Sequence, residues 1–377
     1  MIVSGFCNSE FSEIKDIFKK YFDEGKETGA NFSIVKNGQI FVNIFGGKKN
    51  EKDNWNEDTI VNTFSLSKGI YASCVAKLIE EKKIDINKKV SYYWPEFKKN
   101  KDNVKVKDIL SHQSGIYRFK QLVTNKDLLD FNKIIRIIEE QSLDHEPGKR
   151  TFYHAKTHGY LIENLLKKIT GSNLKIYFKE NFSNPLNINF HFGCDQTNFD
   201  NIADLDETKV KEHNEEKNIE FNAFNNPQHD INFYNSKEWR LAGIPSMGGH
   251  GSALAIAKLY DILANDLRLN NKKIISQNTF SKILEISNSN IDESLNLPIR
   301  WTYSGFILRG GWMFGKNKSS FGHNGWGGSL GFGDPVEGLG ISYVTKKINS
   351  GMQADFRAVH LIKKTYEILE RNLKNYA

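Results

Sequence analysis

Ser65-Leu66-Ser67-Lys68 is the stretch of this chain best suited to covalent chemistry. It stands directly before the apolar run Gly69 to Ile79, which has helical character. If a helix begins at Ser65, Lys68 lies one turn on and on the same face, within reach of the serine hydroxyl. The positive end of the helix disfavours a protonated lysine and favours an alkoxide, and its free N–H groups can serve an oxyanion. Lys68 can then act as a neutral base toward a Ser65 nucleophile. Read alone, the tetrapeptide is equally a helix cap followed by a solvated lysine.

Tyr153 is the second candidate, after the turn-like Glu146-Pro147-Gly148 and before a helical stretch from Tyr160 to Ile169. A phenol beside a lysine ammonium is expected to shift toward phenolate and to relay the serine proton to a leaving group. Its plain alternative is a half-buried core tyrosine. The third is Phe321-Gly322-His323-Asn324-Gly325-Trp326-Gly327-Gly328. Here glycines let a strand edge approach a bound molecule, the Trp326 N–H offers a second oxyanion donor, and His323 is expected to line the pocket and donate a hydrogen bond. A glycine-rich hairpin with a packed tryptophan would explain the same letters.

The elements that position these groups are readable in outline. Phe11, Ile14, Phe18 and Tyr21 recur at helical spacing, and the strand-like runs Asn31 to Val35 and Gln39 to Ile44 flank Asn37-Gly38, a strong hairpin signal. Toward the other end, strand-like stretches cover Trp301 to Leu308, Ser329 to Phe332 and Gly340 to Thr345. A final helix carries the stripe Val359, Ile362, Tyr366, Leu369, Leu373. Helical periodicity fills the middle, over 69–79, 133–140, 160–169 and 253–264, whereas Asp195 to Lys237 is Asn-rich and reads as loops and short helices over a pocket. The expected fold is α+β. Residues 1–60 and 270–377 form an antiparallel sheet flanked by helices, residues 61–269 a mostly helical inserted domain, and the active site lies at their interface.

The bulk properties agree with an enzyme of this kind. A 377-residue chain can bury a large core, and its negative mean hydropathy offers no membrane-spanning run. The net charge of +7 comes mostly from lysines interleaved with Glu and Asp, as at Glu80-Glu81-Lys82-Lys83, which reads as a solvated surface and not as a nucleic-acid face. Cys7, Cys74 and Cys194 are far apart and odd in number, so free thiols are expected. With no basic start followed by an apolar stretch in Met1 to Glu10, a cytoplasmic setting is expected.

Taken together and in this order, the three motifs resemble the serine β-lactamase and penicillin-binding-protein superfamily, and more closely its class C-like esterases. Flanking text carries the likeness further: Asp58 to Phe64, Tyr93-Trp94-Pro95-Glu96-Phe97, Asp108 to Gly115, Asn184-Pro185-Leu186-Asn187 and Tyr153-His154-Ala155-Lys156-Thr157-His158-Gly159-Tyr160. The resemblance spans most of the chain. It implies an acyl-enzyme on Ser65, proton handling by Lys68 with Tyr153, and an oxyanion hole from the Ser65 and Trp326 N–H groups. It also implies substrate contacts at His323, Gly325 and Ala155, and no cofactor or metal.

Two departures bear on substrate. Ala155 stands where class C lactamases carry Asn, and His323-Asn324-Gly325 stands where they carry Lys-Thr-Gly, which replaces a permanent cation with a group mostly neutral at pH 7. Both weaken recognition of a substrate carboxylate and favour a small acyl ester over a β-lactam or a D-amino-acid peptide. A non-catalytic scaffold on the same fold is the remaining alternative. Gly243 to Gly248 has the wrong spacing for a Gly-x-Ser-x-Gly elbow, His154 and His158 lack the rest of a metalloprotease motif, His250 reads as part of a turn, and Trp94 reads as core.

Overall fold

The two ends of the chain are apolar in the alternating and helical patterns that build a sheet with helices on it, and they meet in a single sheet. The structure is a computed structural model that describes residues 2–98, 101–206, 222–265, 268–269, 272–349 and 355–376. Strand β1 (Val3–Cys7), helix α1 (Ser12–Asp23) and strands β2 (Gly29–Lys36) and β3 (Gln39–Gly47) open the chain. Asn37 and Gly38 both hold positive φ, +51° and +78°, so β2 and β3 close as a two-residue hairpin.

The middle of the chain supplies β4 (Val61–Asn62), α2 (Leu66–Glu80), α3 (Phe131–Glu140), α4 (Thr157–Thr170), β5 (Phe190–Phe192), β6 (Gly249–Gly251) and α5 (Ala253–Ala264). Strands β7 (Ile286–Asn288), β8 (Arg300–Thr302), β9 (Ile307–Leu308), β10 (Phe321–Asn324), β11 (Leu330–Asp334) and β12 (Leu339–Thr345) follow, then α6 (Phe356–Tyr376). The main sheet runs β1-β3-β2-β12-β11-β10-β9-β8-β7, with every neighbour antiparallel. Its seam is β2 against β12, where Phe32 faces Tyr343. The fold is therefore α+β, in the β-lactamase/transpeptidase-like arrangement.

Both faces of the central strands are covered, and every residue of β12 is buried. On one face α1 and α6 pack through Ile14, Phe18, Leu361, Ile362 and Tyr366 against Phe32, Ile341 and Phe332. On the other lies α5, apolar almost all round, which crosses β2, β11 and β12. A helix with so little polar surface is buried on two sides, against the sheet as well as the helical region. Val61–Asn62, Phe190–Phe192 and Gly249–Gly251 form a separate three-stranded sheet, which puts β structure within the nominally helical insert.

Two more expectations change. The run Trp301 to Leu308 is not one strand but β8 and β9, folded back on each other so that Trp301 pairs with Ile307. The segment Val3–Cys7, given no element from sequence, is an edge strand on β3. The loop expectation for 195–237 falls partly on 207–221, and that for the side chain of Leu373 wholly, outside the described residues; the remainder of 195–237 contains short helical turns at Gln196–Asn201 and Ile231–Tyr234.

A buried ionic cluster ties the chain ends together. Arg357, at the start of α6, donates to Glu27 at 2.7 Å and to Asp355 at 2.5 and 2.9 Å, and the Tyr343 hydroxyl donates to Glu27. Glu27 is 3% and Arg357 2% exposed, so each charge depends on its partner for solvation. The cysteines are free: Cys74 and Cys194 are buried and Cys7 is half-buried. Trp94 is core, and its indole N–H donates to Glu139 at 2.6 Å.

Candidate active site

Ser65 is the N-cap of α2, and the residue before it is strained. Phe64 has φ +47°, a conformation that costs a bulky L-residue free energy and persists only where packing enforces it. Here the Phe64 ring is held edge-on against Trp326 at 5.1 Å and against Tyr234 at 5.3 Å. The sharp bend turns the Ser65 side chain away from capping its own helix and into a pocket shared with Tyr153, His323 and Trp326.

Lys68, fully buried, donates from Nζ to Ser65 Oγ at 3.1 Å, to the Ala155 carbonyl at 2.8 Å and to the Ser246 carbonyl at 3.1 Å. No carboxylate ion-pairs with it among the described residues. Burial first, and the neighbouring Lys156 second, hold its ammonium well below the usual lysine range. The amine is thereby biased toward the neutral form that can accept a proton, with the serine oxygen next to it. Ala155 contributes its carbonyl to this arrangement, while its small side chain packs in the core around the sheet.

Tyr153 enters from the loop before α4, with Lys68 Nζ 5.0 Å from its ring centre and Ser65 lining the same pocket. Its protonation differs from the expectation. Burial raises the phenol above its ordinary value, the Ser65 contact pulls it down by less, and Asp292 adds to the rise. Burial thus disfavours the phenolate, and it also biases the lysine beside it toward the neutral amine.

His323 lines the pocket from β10 and is 2% exposed. Burial, with Lys68 beside it, lowers it to about 3, so it is neutral. Its Nδ1 bonds the Asn324 carbonyl at 2.7 Å and must carry the proton, leaving Nε2 as an unpartnered acceptor. The expected hydrogen-bond donation by His323 is thus reversed: the ring presents a lone pair. Gly325 does not line the pocket. A Cβ there would lie 2.1 Å from the Thr63 carbonyl oxygen, so the absent side chain lets the end of β10 close on the segment that carries Ser65. Gly69 is needed for the same reason one turn into α2, against Tyr260 and the His323 Cβ.

Among the described residues neither the Ser65 N–H nor the Trp326 N–H has a hydrogen-bond acceptor. The Trp326 indole is fixed between Phe64 and a stacked His229 at 4.2 Å, which holds that backbone beside the helix start. Two free amide donors near a nucleophilic oxygen suit a developing negative charge.

Several residues of the site escaped the sequence. Asp292 accepts from the Tyr153 N–H at 3.0 Å and from the Ser294 and Leu295 N–H groups at 3.1 and 3.2 Å, which joins the pocket-lining segment 295–299 to Tyr153. It is buried and raised to about 6. Arg309 lines the pocket after β9. His112, in positive φ and stacked against His158 at 4.3 Å, also lies 4.0 Å from Trp301 and 5.1 Å from Tyr153, forming the wall behind the phenol. His154 and His158 are part of that wall: His154 accepts from Ser114 and His158 bonds Tyr71. His250 is a buried residue of β6 whose Nδ1 bonds the Gly248 carbonyl, outside the pocket.

A hydroxyl adjoining a buried amine biased toward its neutral form, with amides free to receive an oxyanion, belongs to the chemistry of serine hydrolases, and the surrounding fold narrows the class to those related to β-lactamases. The family described as Beta-lactamase matches residues 14–364, and the chain belongs to that family. It is a serine hydrolase. Its sequence is 26% identical over 375 residues, covering 92% of this chain and 84% of the relative, to the Esterase/beta-lactamase LipL of Mycobacterium tuberculosis. A family VIII carboxylesterase of known crystal structure is 31% identical with a TM-score of 0.90, covering 98% of this chain and all of that one. A penicillin-binding protein homologue from Caulobacter crescentus is 27% identical with a TM-score of 0.89, over 98% of this chain and all of the other. No helix among the described residues is long and apolar enough to cross a membrane.

Proposed function

We propose that this chain hydrolyses carboxylic esters of small acyl groups through an acyl-enzyme on Ser65. Neutral Lys68 takes the proton from Ser65 Oγ as that oxygen attacks the ester carbonyl. The Ser65 and Trp326 N–H groups hold the resulting oxyanion. Tyr153, kept as a phenol, gives its proton to the departing alkoxide and recovers one from the Lys68 ammonium. Water then attacks the acyl-serine with Lys68 again as base, and the acid leaves.

The observation that carries this reading is the 3.1 Å hydrogen-bonding contact between Nζ of a buried, carboxylate-free lysine and Oγ of the serine at a helix start. A salt-bridged lysine would stay charged and could not serve. The likeness to a family VIII carboxylesterase supports an ester in preference to a β-lactam or a peptide, as do Ala155 and His323 in place of Asn and Lys. Residues 1–60 and 270–377 as one domain, 61–269 as the other, with α5 packed on both, is the division we favour.

Turnover of p-nitrophenyl acetate and butyrate tests the proposal. Ser65→Ala, Lys68→Ala and Tyr153→Phe are each expected to lose about two to four orders of magnitude in kcat/KM. A Lys68→Ala variant working at near-native rate would remove the assigned base.

A further inference from the structure

Arginines of this chain are typically paired with a carboxylate. Arg118 meets Asp144, Arg150 meets Glu293, Arg240 meets Asp204, Arg357 meets Glu27 and Arg371 meets Glu13. Arg309 is different. It is half-buried in the wall of the Ser65 pocket, yet among the described residues its guanidinium has no ion pair and no hydrogen bond, only the Trp312 ring 5.4 Å away. Asp292, the acid that acts on it, does so from beyond ion-pair distance and has one oxygen taken by the Tyr153, Ser294 and Leu295 amides.

Keeping five donors of a permanent cation partly desolvated and unpaired is costly, and the geometry of a guanidinium matches a carboxylate in two parallel bonds. Leu295, Leu297, Ile299 and Ile307 line the same pocket as Ser65 and Arg309. The pocket therefore combines aliphatic surface with a cation. The Lys-Thr-Gly cation that the sequence lacks at 323–325 leaves room for charge recognition from another segment, and Arg309 directly follows β9, the strand that pairs with β10.

Resting on the esterase reading above, we infer that Arg309 is the anion anchor of the pocket and that the preferred substrates are esters carrying a carboxylate separated from the scissile bond by a short aliphatic spacer. The carboxylate sits either on the acyl part, as in a half-ester of a dicarboxylic acid, or on the alcohol part.

Paired substrates decide it. On the acyl side, p-nitrophenyl hemiadipate is compared with p-nitrophenyl hexanoate, and on the alcohol side 4-acetoxybutanoate with n-butyl acetate. Wild-type protein is expected to favour the anionic member of one pair by about tenfold or more in kcat/KM, chiefly through KM, with the preference shrinking as salt is raised. The ratio should fall to about one or below in Arg309→Met and stay partly intact in Arg309→Lys, which keeps the charge without the fork. Equal rates within both pairs for wild-type protein, or a ratio unchanged in Arg309→Met, overturns the inference while leaving the esterase reading in place. No turnover of any of the four esters by wild-type protein overturns both. The wild-type salt dependence needs no variant, so a misfolded Arg309→Met cannot shield the inference.

Discussion

The α-carbon of Gly325 and the carbonyl oxygen of Thr63 are so close that a methyl group on the glycine would lie 2.1 Å from that oxygen. This contact locks the end of β10 against the residue two before the nucleophile, and it sets where Trp326 stands relative to Ser65. Gly325→Ala forces that backbone apart and so shifts one amide donor relative to the other. A loss of about 10²-fold in kcat together with a lowered thermal midpoint is predicted. Unchanged kcat would mean that the Trp326 amide takes no part.

The proton chemistry predicts a particular pH profile. Lys68 works only when neutral, so kcat/KM rises with pH and levels off once its depressed pKa is passed, well below the ordinary lysine value. His323, held at about 3, adds no limb between pH 5 and 8. Lys156, lowered to about 7 by burial, contributes to the depression of Lys68. Replacing it by Met removes a neighbouring positive charge, lets the Lys68 pKa rise, and moves the ascending limb to higher pH. A limb that moves to lower pH in Lys156→Met contradicts the assignment.

Asp292 positions Tyr153 by accepting its backbone N–H, and that task needs an oxygen, not a charge. Asp292→Asn keeps the acceptor and is expected to retain kcat within a few-fold. Asp292→Ala leaves buried N–H groups unsatisfied and should cost about 1–3 kcal/mol of stability together with a fall in kcat larger than in KM. Similar kinetics for both variants would show that the bond does not hold the phenol.

Arg357 tests the joining of the chain ends. Arg357→Met strands Glu27 and Asp355 as buried carboxylates and is expected to destabilise the fold by about 3–5 kcal/mol, read as a lower urea midpoint at unchanged slope. A midpoint equal to wild type would mean the cluster is not buried in solution.

The nucleophile and its lysine were legible because a helix brings residues three apart onto one face whatever the tertiary fold, and the run behind Ser65 had no other reading than a buried helix. The hairpin at Asn37-Gly38 was legible for a similar local reason, its positive φ values. Tyr153, His323 and Trp326 were recognisable by their motifs, yet their protonation was not, since it depends on how completely other segments bury them. Arg309 and Asp292 gave no signal at all: one follows a two-residue strand, the other opens a polar turn in Ser287 to Leu297, and only the sheet register brings them to the pocket. The packing of α5 on the sheet was not legible, because an all-round apolar helix does not declare which of two layers it faces.

Active-site labelling reaches the central claim most directly. A fluorophosphonate reacts with an activated serine, and peptide mapping by mass spectrometry locates the adduct. The account predicts one adduct on Ser65, absent in Ser65→Ala and formed at least about a hundredfold more slowly in Lys68→Ala. An adduct on another serine, or labelling of Lys68→Ala at the native rate, would contradict it.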